Sequence, residues 1–238
     1  EDMEVIRSVT KNVTGIDPSH GGSGDPSPFT ALGVRRGIEA AVKFKLGKTS
    51  LAGIHVAVQG VGHVGYYLCR ELHAAGAKLT VADMDPLKAE RATREFGAKI
   101  CSIDSIAQVE CDIFAPCALG AGLNDQTIGH LRTSIVAGAA NNQLAEPRHG
   151  DDLHARGILY APDYAINAGG LINVAQEVVG YDAEIARQKT LKIYDTMMEI
   201  YERSQKRGAP TYKVRHARRR EARRRRQVTP LCGVLLRR

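Results

Sequence analysis

The chain has 238 residues, 43% hydrophobic and 25% charged, a composition ordinary for a globular protein and long enough to bury a sizeable core without disulfide staples. No apolar run approaches the roughly 20 residues that span a bilayer, and the opening EDMEVIRSVT has neither the basic nor the apolar region of a signal peptide. The net charge is +7, yet residues 215–238 hold ten arginines against one glutamate, a local +9 that leaves −2 for residues 1–214. A nucleic-acid binder usually carries its basic face on the folded domain; the composition of this body offers none.

Residues 1–27 contain one short amphipathic stretch followed by TGIDPSHGGSGDPSP, whose Gly, Ser, Asp and Pro read as a loop or hinge. From Pro28 the pattern turns helical, with Leu32, Ile38, Ala41, Val42 and Leu46 as an apolar stripe and Gly47 as its stop. GIHVAVQG reads as a buried strand, HVGYYLCRELHAAG as a helix, and KLTVAD as a second buried strand. PLKAERATREFG is an amphipathic helix opened by Pro86 and closed by Gly97. CDIFAP, TSIVAGAA and ILYAP are three further strands, alternating with helices around Asp125–Leu131 and Pro147–Arg156. The stretch from Asn167 to Gly208 reads as one or two helices interrupted at Gly180. Alternating strands and helices argue for βαβ units around a mostly parallel sheet, doubly wound, with helices on both faces.

The sharpest local pattern is VAVQGVGHVGYY. Gly60, Gly62 and Gly65 form G-x-G-x-x-G between a predicted strand and a predicted helix. Gly60 permits the tight turn, Gly62 lets a pyrophosphate approach the backbone, and Gly65 lets the helix pack closely on the strand. The helix start offers free N–H groups to phosphates. Asp83 ends the second strand 23 positions after Gly60, near the spacing of roughly 20 expected of an acid that accepts hydrogen bonds from a ribose diol. No Arg follows it directly, so NAD is expected over NADP. His63, inside the turn, either lines the site or points to solvent. In an open α/β sheet the ligand crevice lies beyond the carboxyl ends of the strands. Asn141 and Asn142 after one strand, and Asn167, Gly169 and Gly170 after another, are expected there. For Asn167, capping of the next helix is an equal alternative.

The five cysteines, Cys69, Cys101, Cys111, Cys117 and Cys232, show no C-x-x-C spacing and are odd in number. Core-filling thiols in a reducing, cytoplasmic compartment are expected, and no metal site. The sequence has no G-x-S-x-G elbow, no complete G-x-x-x-x-G-K-S/T loop, and no H-E-x-x-H.

Several longer motifs then occur in order: GDPSPFTALGV, VQGVGHVG, CDIFAPCALGAGLND, NNQLAEPRHG and YAPDYAINAGGLINVA. From about Asp2 to about Tyr212 the chain resembles the Glu/Leu/Phe/Val dehydrogenase family, and within it the leucine-acting members. The resemblance implies a Rossmann-type fold and NAD-dependent, reversible oxidative deamination of a branched-chain L-amino acid to its 2-oxo acid and ammonia. It implies a small amino acid as substrate and a homo-oligomeric assembly, with no membrane partner. Carried over position by position, Gly60, Val61, Gly62, His63, Val64, Gly65 and Tyr66 match the pyrophosphate loop and Asp83 the ribose acid. Thr30 matches a threonine near the nicotinamide carboxamide, and Ala118 a backbone contact near the cofactor ribose. Asn142 and Asn167 match residues beside the nicotinamide and the reacting centre. Leu171 and Val174 match the apolar side-chain pocket. Asn141 stands where the leucine-acting members commonly have Asp.

Two departures matter. The family's substrate domain, with its two catalytic lysines and catalytic aspartate, precedes a stretch like EDMEVIRSVTKNVTGI, and none of those motifs occurs here. No residue of this sequence is therefore assigned a catalytic role. The expected organisation is a remnant of the substrate domain and hinge at 1–27, an NAD-binding domain at 28–212, and an atypical arginine-rich tail at 213–238. A run of like charges is usually solvated and disordered, and at low salt binds polyanions non-specifically. A second reading, from a different class, is a non-catalytic dinucleotide-fold module that binds nucleic acid through that tail. A third keeps the dehydrogenase and changes the substrate to valine, phenylalanine or glutamate.

Overall fold

In the computed structural model, which describes residues 2–10 and 13–214, HVAVQ forms the central strand β1 (His55–Gln59). Its inner three residues are buried, as an apolar strand covered on both faces should be. The chain then runs α3 (His63–Ala74), β2 (Lys78–Ala82), α4 (Pro86–Phe96), β3 (Lys99–Ile100) and β4 (Ile113–Pro116). It continues through α5 (Asp125–Ile128), β5 (Ile135–Val136), α6 (Arg148–Ala155) and β6 (Leu159–Tyr160). Before β1 come α1 (Asp2–Val9) and the long α2 (Ser27–Leu46). After β6 come α7 (Asp163–Ile166), α8 (Gly169–Ala175), α9 (Ala183–Leu191) and α10 (Ile193–Arg207). The six strands form one sheet in the order β3-β2-β1-β4-β5-β6, and every pairing is parallel. This is the doubly wound Rossmann-type arrangement, whose strand order reverses beside β1.

Strand alternation builds two cores. Val56, Val58, Val81, Ile113 and Ile135 face one layer, where they meet Val34 and Ile38 of α2, Leu68 and Leu72 of α3, and Met197 and Tyr201 of α10. Ala57, Ala82, Phe114, Val136 and Tyr160 face the other, against Ile106, Leu123, Ile128 and Leu153. The first layer is made of long helices and the second of short ones. Helix ends follow local chemistry. Asp85 accepts from Leu87 N–H at the start of α4, and Gly97 ends it at φ 64°. Asp182 accepts from Glu184 and Ile185 N–H to start α9.

Three features depart from the sequence expectation. The sheet has a sixth strand, β3, whose two residues are both exposed and so carry no buried-strand signature. A single turn, α7, follows β6. The long C-terminal region breaks at Gly180, as expected, where φ is 94°, but it also breaks at Lys192. There the Lys192 N–H bonds to Lys189 O, three residues back, and no Gly or Pro marks the step. The arginine-rich run lies outside the described residues.

On the second layer α5 and α6 are joined by polar groups. Arg148 donates to both oxygens of Asp125 at 2.7 Å, while buried His149 accepts on Nδ1 from Glu146 N–H at 3.0 Å and turns Nε2 to Asp125 at 3.2 Å. The Arg148 guanidinium, followed by His149, holds the Asp125 carboxyl down to about 2 from 3.8. A carboxyl lowered in the folded state stabilises fully above its unfolded value and loses that contribution as pH falls. Acid denaturation should therefore steepen between pH 3.8 and about 2. In Arg148→Ala this acid limb should flatten, read from urea midpoints across that range.

Candidate dinucleotide site

The site is built where β1 ends. Gly60 adopts φ +92°, and a Cβ there would lie 2.9–3.0 Å from Ala118, at the end of neighbouring β4. Both the left-handed conformation and the close approach exclude a side chain. A Cβ on Gly65 would lie 2.1 Å from the Gly60 carbonyl oxygen, so α3 seats directly on the turn. Gly62 is different: nothing lies within 4 Å of a Cβ built on it, so its face is open to the crevice. The first helical bond of α3 runs from Tyr66 N–H to Gly62 O at 2.9 Å. The N–H groups before it belong to the free first turn that a helix presents to anions.

Asp83 braces this turn from β2. Its Oδ2 accepts from Val61 N–H at 2.7 Å and its Oδ1 from Asp85 N–H at 2.9 Å. Each carboxylate oxygen retains a lone pair. The same carboxylate thus fixes the loop and remains able to take hydroxyl donors. Exposed His63 lines a cavity of about 300 Å³ with Val61, Gly62, Tyr66, Lys88 and Arg91. Tyr66 turns towards α4: its hydroxyl donates to Glu95 at 2.5 Å, and Arg91 stacks 3.9 Å from the centre of its ring. The Glu95 bond pushes the Tyr66 phenol up and the Glu95 carboxyl down.

The strand ends beside the turn form the rest of the crevice. Asn142 sits in the left-handed region at φ 51°, and its carbonyl accepts from Ala121 N–H at 2.7 Å. Turn geometry alone favours Asn there. Asn167 does not cap α8, whose start carries no side-chain cap. Its amide donates instead to Ala139 O at 3.2 Å and to Asn141 Oδ1 at 2.7 Å, which links the ends of β5 and β6. Thr30 bonds to Pro26 O in the first turn of α2, facing Gly170, where a Cβ would lie 2.4 Å from its Oγ1. Gly169 is pressed as tightly on Phe29 O, at 2.0 Å for a notional Cβ, so the glycine pair lets α8 lie against the start of α2. From α8, Leu171 projects 71% exposed, with Val174 half-buried one turn on. Ala118 is exposed at the end of β4.

A profile of the glutamate/leucine/phenylalanine/valine dehydrogenases matches residues 21–87 and 80–225. The chain belongs to this family. It is 55% identical over 212 residues to the leucine dehydrogenase of Thermoactinomyces intermedius, which covers 89% of this chain and 58% of that one. To the L-tryptophan dehydrogenase of Nostoc punctiforme it is 49% identical over 212 residues, covering 89% and 59%. The crystal structure of L-tryptophan dehydrogenase from that organism superposes with a TM-score of 0.82 at 47% identity, over 94% of this chain and 63% of the other. The chain thus spans less than two thirds of the length of these family members. The family match also runs to residue 225, past the point near Tyr212 where the motifs fade.

Several residues that organise the family's crevice here escape sequence reasoning. Glu177 accepts with one oxygen from Gly15 N–H at 2.8 Å and Ser23 N–H at 2.7 Å. Asn173, fully buried, donates to Ser23 O at 3.3 Å and accepts from the Tyr181 hydroxyl at 2.9 Å. Together they clasp the loop that leads into α2. Gln143, also buried, donates to Gly138 O and Ala140 O and shapes the end of β5. A Glu, an Asn and a Gln are residue types that usually face solvent, so nothing in their local pattern marks them.

Two outcomes test this geometry. Gly65→Ala should cost about 1–3 kcal/mol of stability by overpacking the turn, read from thermal unfolding. Glu177→Ala should raise amide hydrogen exchange at Gly15 and Ser23, because each orphaned N–H loses about 1–3 kcal/mol. Glu177→Gln, which keeps an acceptor oxygen, should restore most of the protection.

Proposed function

We propose that this chain is the NAD-binding part of an amino-acid dehydrogenase that oxidatively deaminates a branched-chain, leucine-like L-amino acid to its 2-oxo acid and ammonia. The observation that carries the reading is 55% identity to a leucine dehydrogenase together with the Asp83-braced glycine turn. The residues fit the cofactor: Gly62 leaves an open cradle, and Asp83 keeps acceptor capacity beside it. NAD, when bound, supplies the two-electron acceptor for the substrate Cα–H. The N–H groups of Gly62 to Gly65, at the start of α3, hold the pyrophosphate. Asp83 accepts from the ribose hydroxyls and repels a 2′-phosphate, which selects NAD over NADP. Ala118 flanks the ribose. Thr30, Asn142 and Asn167 orient the nicotinamide end. Leu171 and Val174 offer aliphatic contact to the substrate side chain.

Such contacts discriminate between aliphatic side chains by only about 1–3 kcal/mol per methylene, so leucine, isoleucine and valine are all expected substrates of the complete enzyme. Proton transfer at the amino group needs a positioned base and a cation at the carboxylate. In the family those groups precede the region matched here, and no residue of this sequence takes their place. On its own the chain should bind NAD without turning over; the complete enzyme is expected to be a cytoplasmic homo-oligomer. The slightly acidic body, −2 over residues 1–214, argues against the second, nucleic-acid-binding reading.

Calorimetric titration of the purified chain should show NAD binding at least about tenfold tighter than NADP, a gap of about 1.4 kcal/mol. Asp83→Ser should weaken NAD and narrow that gap. Leucine-dependent formation of reduced cofactor at the rate of a full-length relative would overturn the cofactor-only reading. Equal affinity for the two cofactors would overturn the assignment of Asp83.

A further inference from the structure

A side chain of the wrong sign stands at the start of α3. Acidic residues usually favour a helix's first turn, where they complement the partial positive charge of its free N–H groups. The first turn of α3 has none, and no side chain caps it at Gly62. Its first residue is His63, which adds to that positive charge whenever it is protonated. A helix start left positive in this way is completed by an anion from outside the chain.

The cavity beside Gly62 continues the pattern. Tyr66 and Tyr67 of α3 line it with His63, and Lys88 and Arg91 of α4 line its other side; no Asp or Glu does so among the described residues. Lys88 is paired with Asp85 at 3.6 Å and Arg91 with Glu95 at 2.8 Å. Arg91 also lies over the Tyr66 ring, and Arg70 over that of Tyr67. At the end of β2, Asp83 is turned to the N–H groups of Val61 and Asp85. Of the basic groups around the cavity, His63 alone has no side-chain hydrogen bond, ion pair or ring contact among the described residues. Its side chain is exposed, so it exchanges protons freely with solvent. Histidine is the side chain that does so between about pH 5 and 8.

We propose that NAD binding draws a proton from solvent onto His63, and that the imidazolium then holds the pyrophosphate beside the N–H groups of α3, so that cofactor affinity rises as pH falls. This rests on the reading of the glycine turn as the NAD site. In the free protein a proton on His63 is opposed by the helix start and by Lys88 and Arg91 on the same cavity. A bound pyrophosphate, negative on each phosphate, reverses the local field and favours the imidazolium. The coupling is reciprocal: what favours the proton on His63 favours NAD by the same factor. The sign follows from linkage. The complex holds more proton than the free protein, so affinity is greatest below the histidine range and falls as pH rises through it.

Calorimetric titration of the full chain with NAD tests it. At about pH 6.5, in buffers with different heats of ionisation, the binding heats should differ and report uptake of a fraction of a proton per NAD. NAD should bind at least about fivefold tighter at about pH 5.5 than at about pH 8. His63→Asn should lose both the uptake and the pH dependence. His63→Lys, whose charge persists across that range, should bind NAD tightly at both pH values without uptake. In NMR spectra of the unaltered chain, the His63 ring C–H shift should follow pH through a higher midpoint with NAD than without. NAD binding with no proton uptake, or with uptake that survives His63→Asn, would overturn the role of His63 and leave the NAD site standing. Absence of NAD binding to the unaltered chain at either pH would overturn both.

Discussion

The structure depends on how closely α3 can approach the turn at the end of β1. Three constraints meet there. Gly65 rests on the carbonyl of Gly60, Gly60 rests on Ala118, and the Asp83 carboxylate ties Val61 to the end of β2. Three neighbouring strands, β2, β1 and β4, are thereby tied together at their carboxyl ends. The open face of Gly62 exists because everything around it is packed. An anion-binding helix start is common; one braced on both flanks, with an acid of retained acceptor capacity beside it, supports the proposal of a phosphate joined to a ribose.

The same economy of backbone approach governs the far wall of the crevice. Gly169 and Gly170 bring α8 against the first turn of α2. The far end of α8 and the turn after it then carry Asn173 and Glu177, which clasp the loop that delivers α2. One short helix and the turn after it therefore carry exposed Leu171 and also fix the connection into α2.

Much of this was legible in the sequence, for stateable reasons. VAVQGVGHVG combines a buried-strand pattern with glycines at fixed offsets, and backbone sterics leave few other readings. Pro86 and Gly97 bracket α4 because a fixed φ and a left-handed φ are local properties. The missed features are those that local pattern does not encode. β3 is two exposed residues made a strand only by pairing with β2. The break at Lys192 carries no Gly or Pro to announce it. For Asn167 the sequence leaves cap and crevice residue as equal readings, because its partner Asn141 is 26 residues away and adjacent only in the fold. Glu177 reads as a surface acid, and its two N–H partners lie more than 150 residues upstream.

The arginine run that gives the chain its basic charge lies outside the described residues, and every residue named in the site belongs to the slightly acidic body. Backbone amide shift mapping during an NAD titration asks directly whether NAD is held at the Asp83-braced turn. Saturable shifts should begin at Val61 to Tyr66 and Asp83 and extend across the crevice to Ala118, Asn142 and Asn167. Saturable shifts that spare the Gly60–Gly65 turn, or no saturable shifts at all, would contradict it.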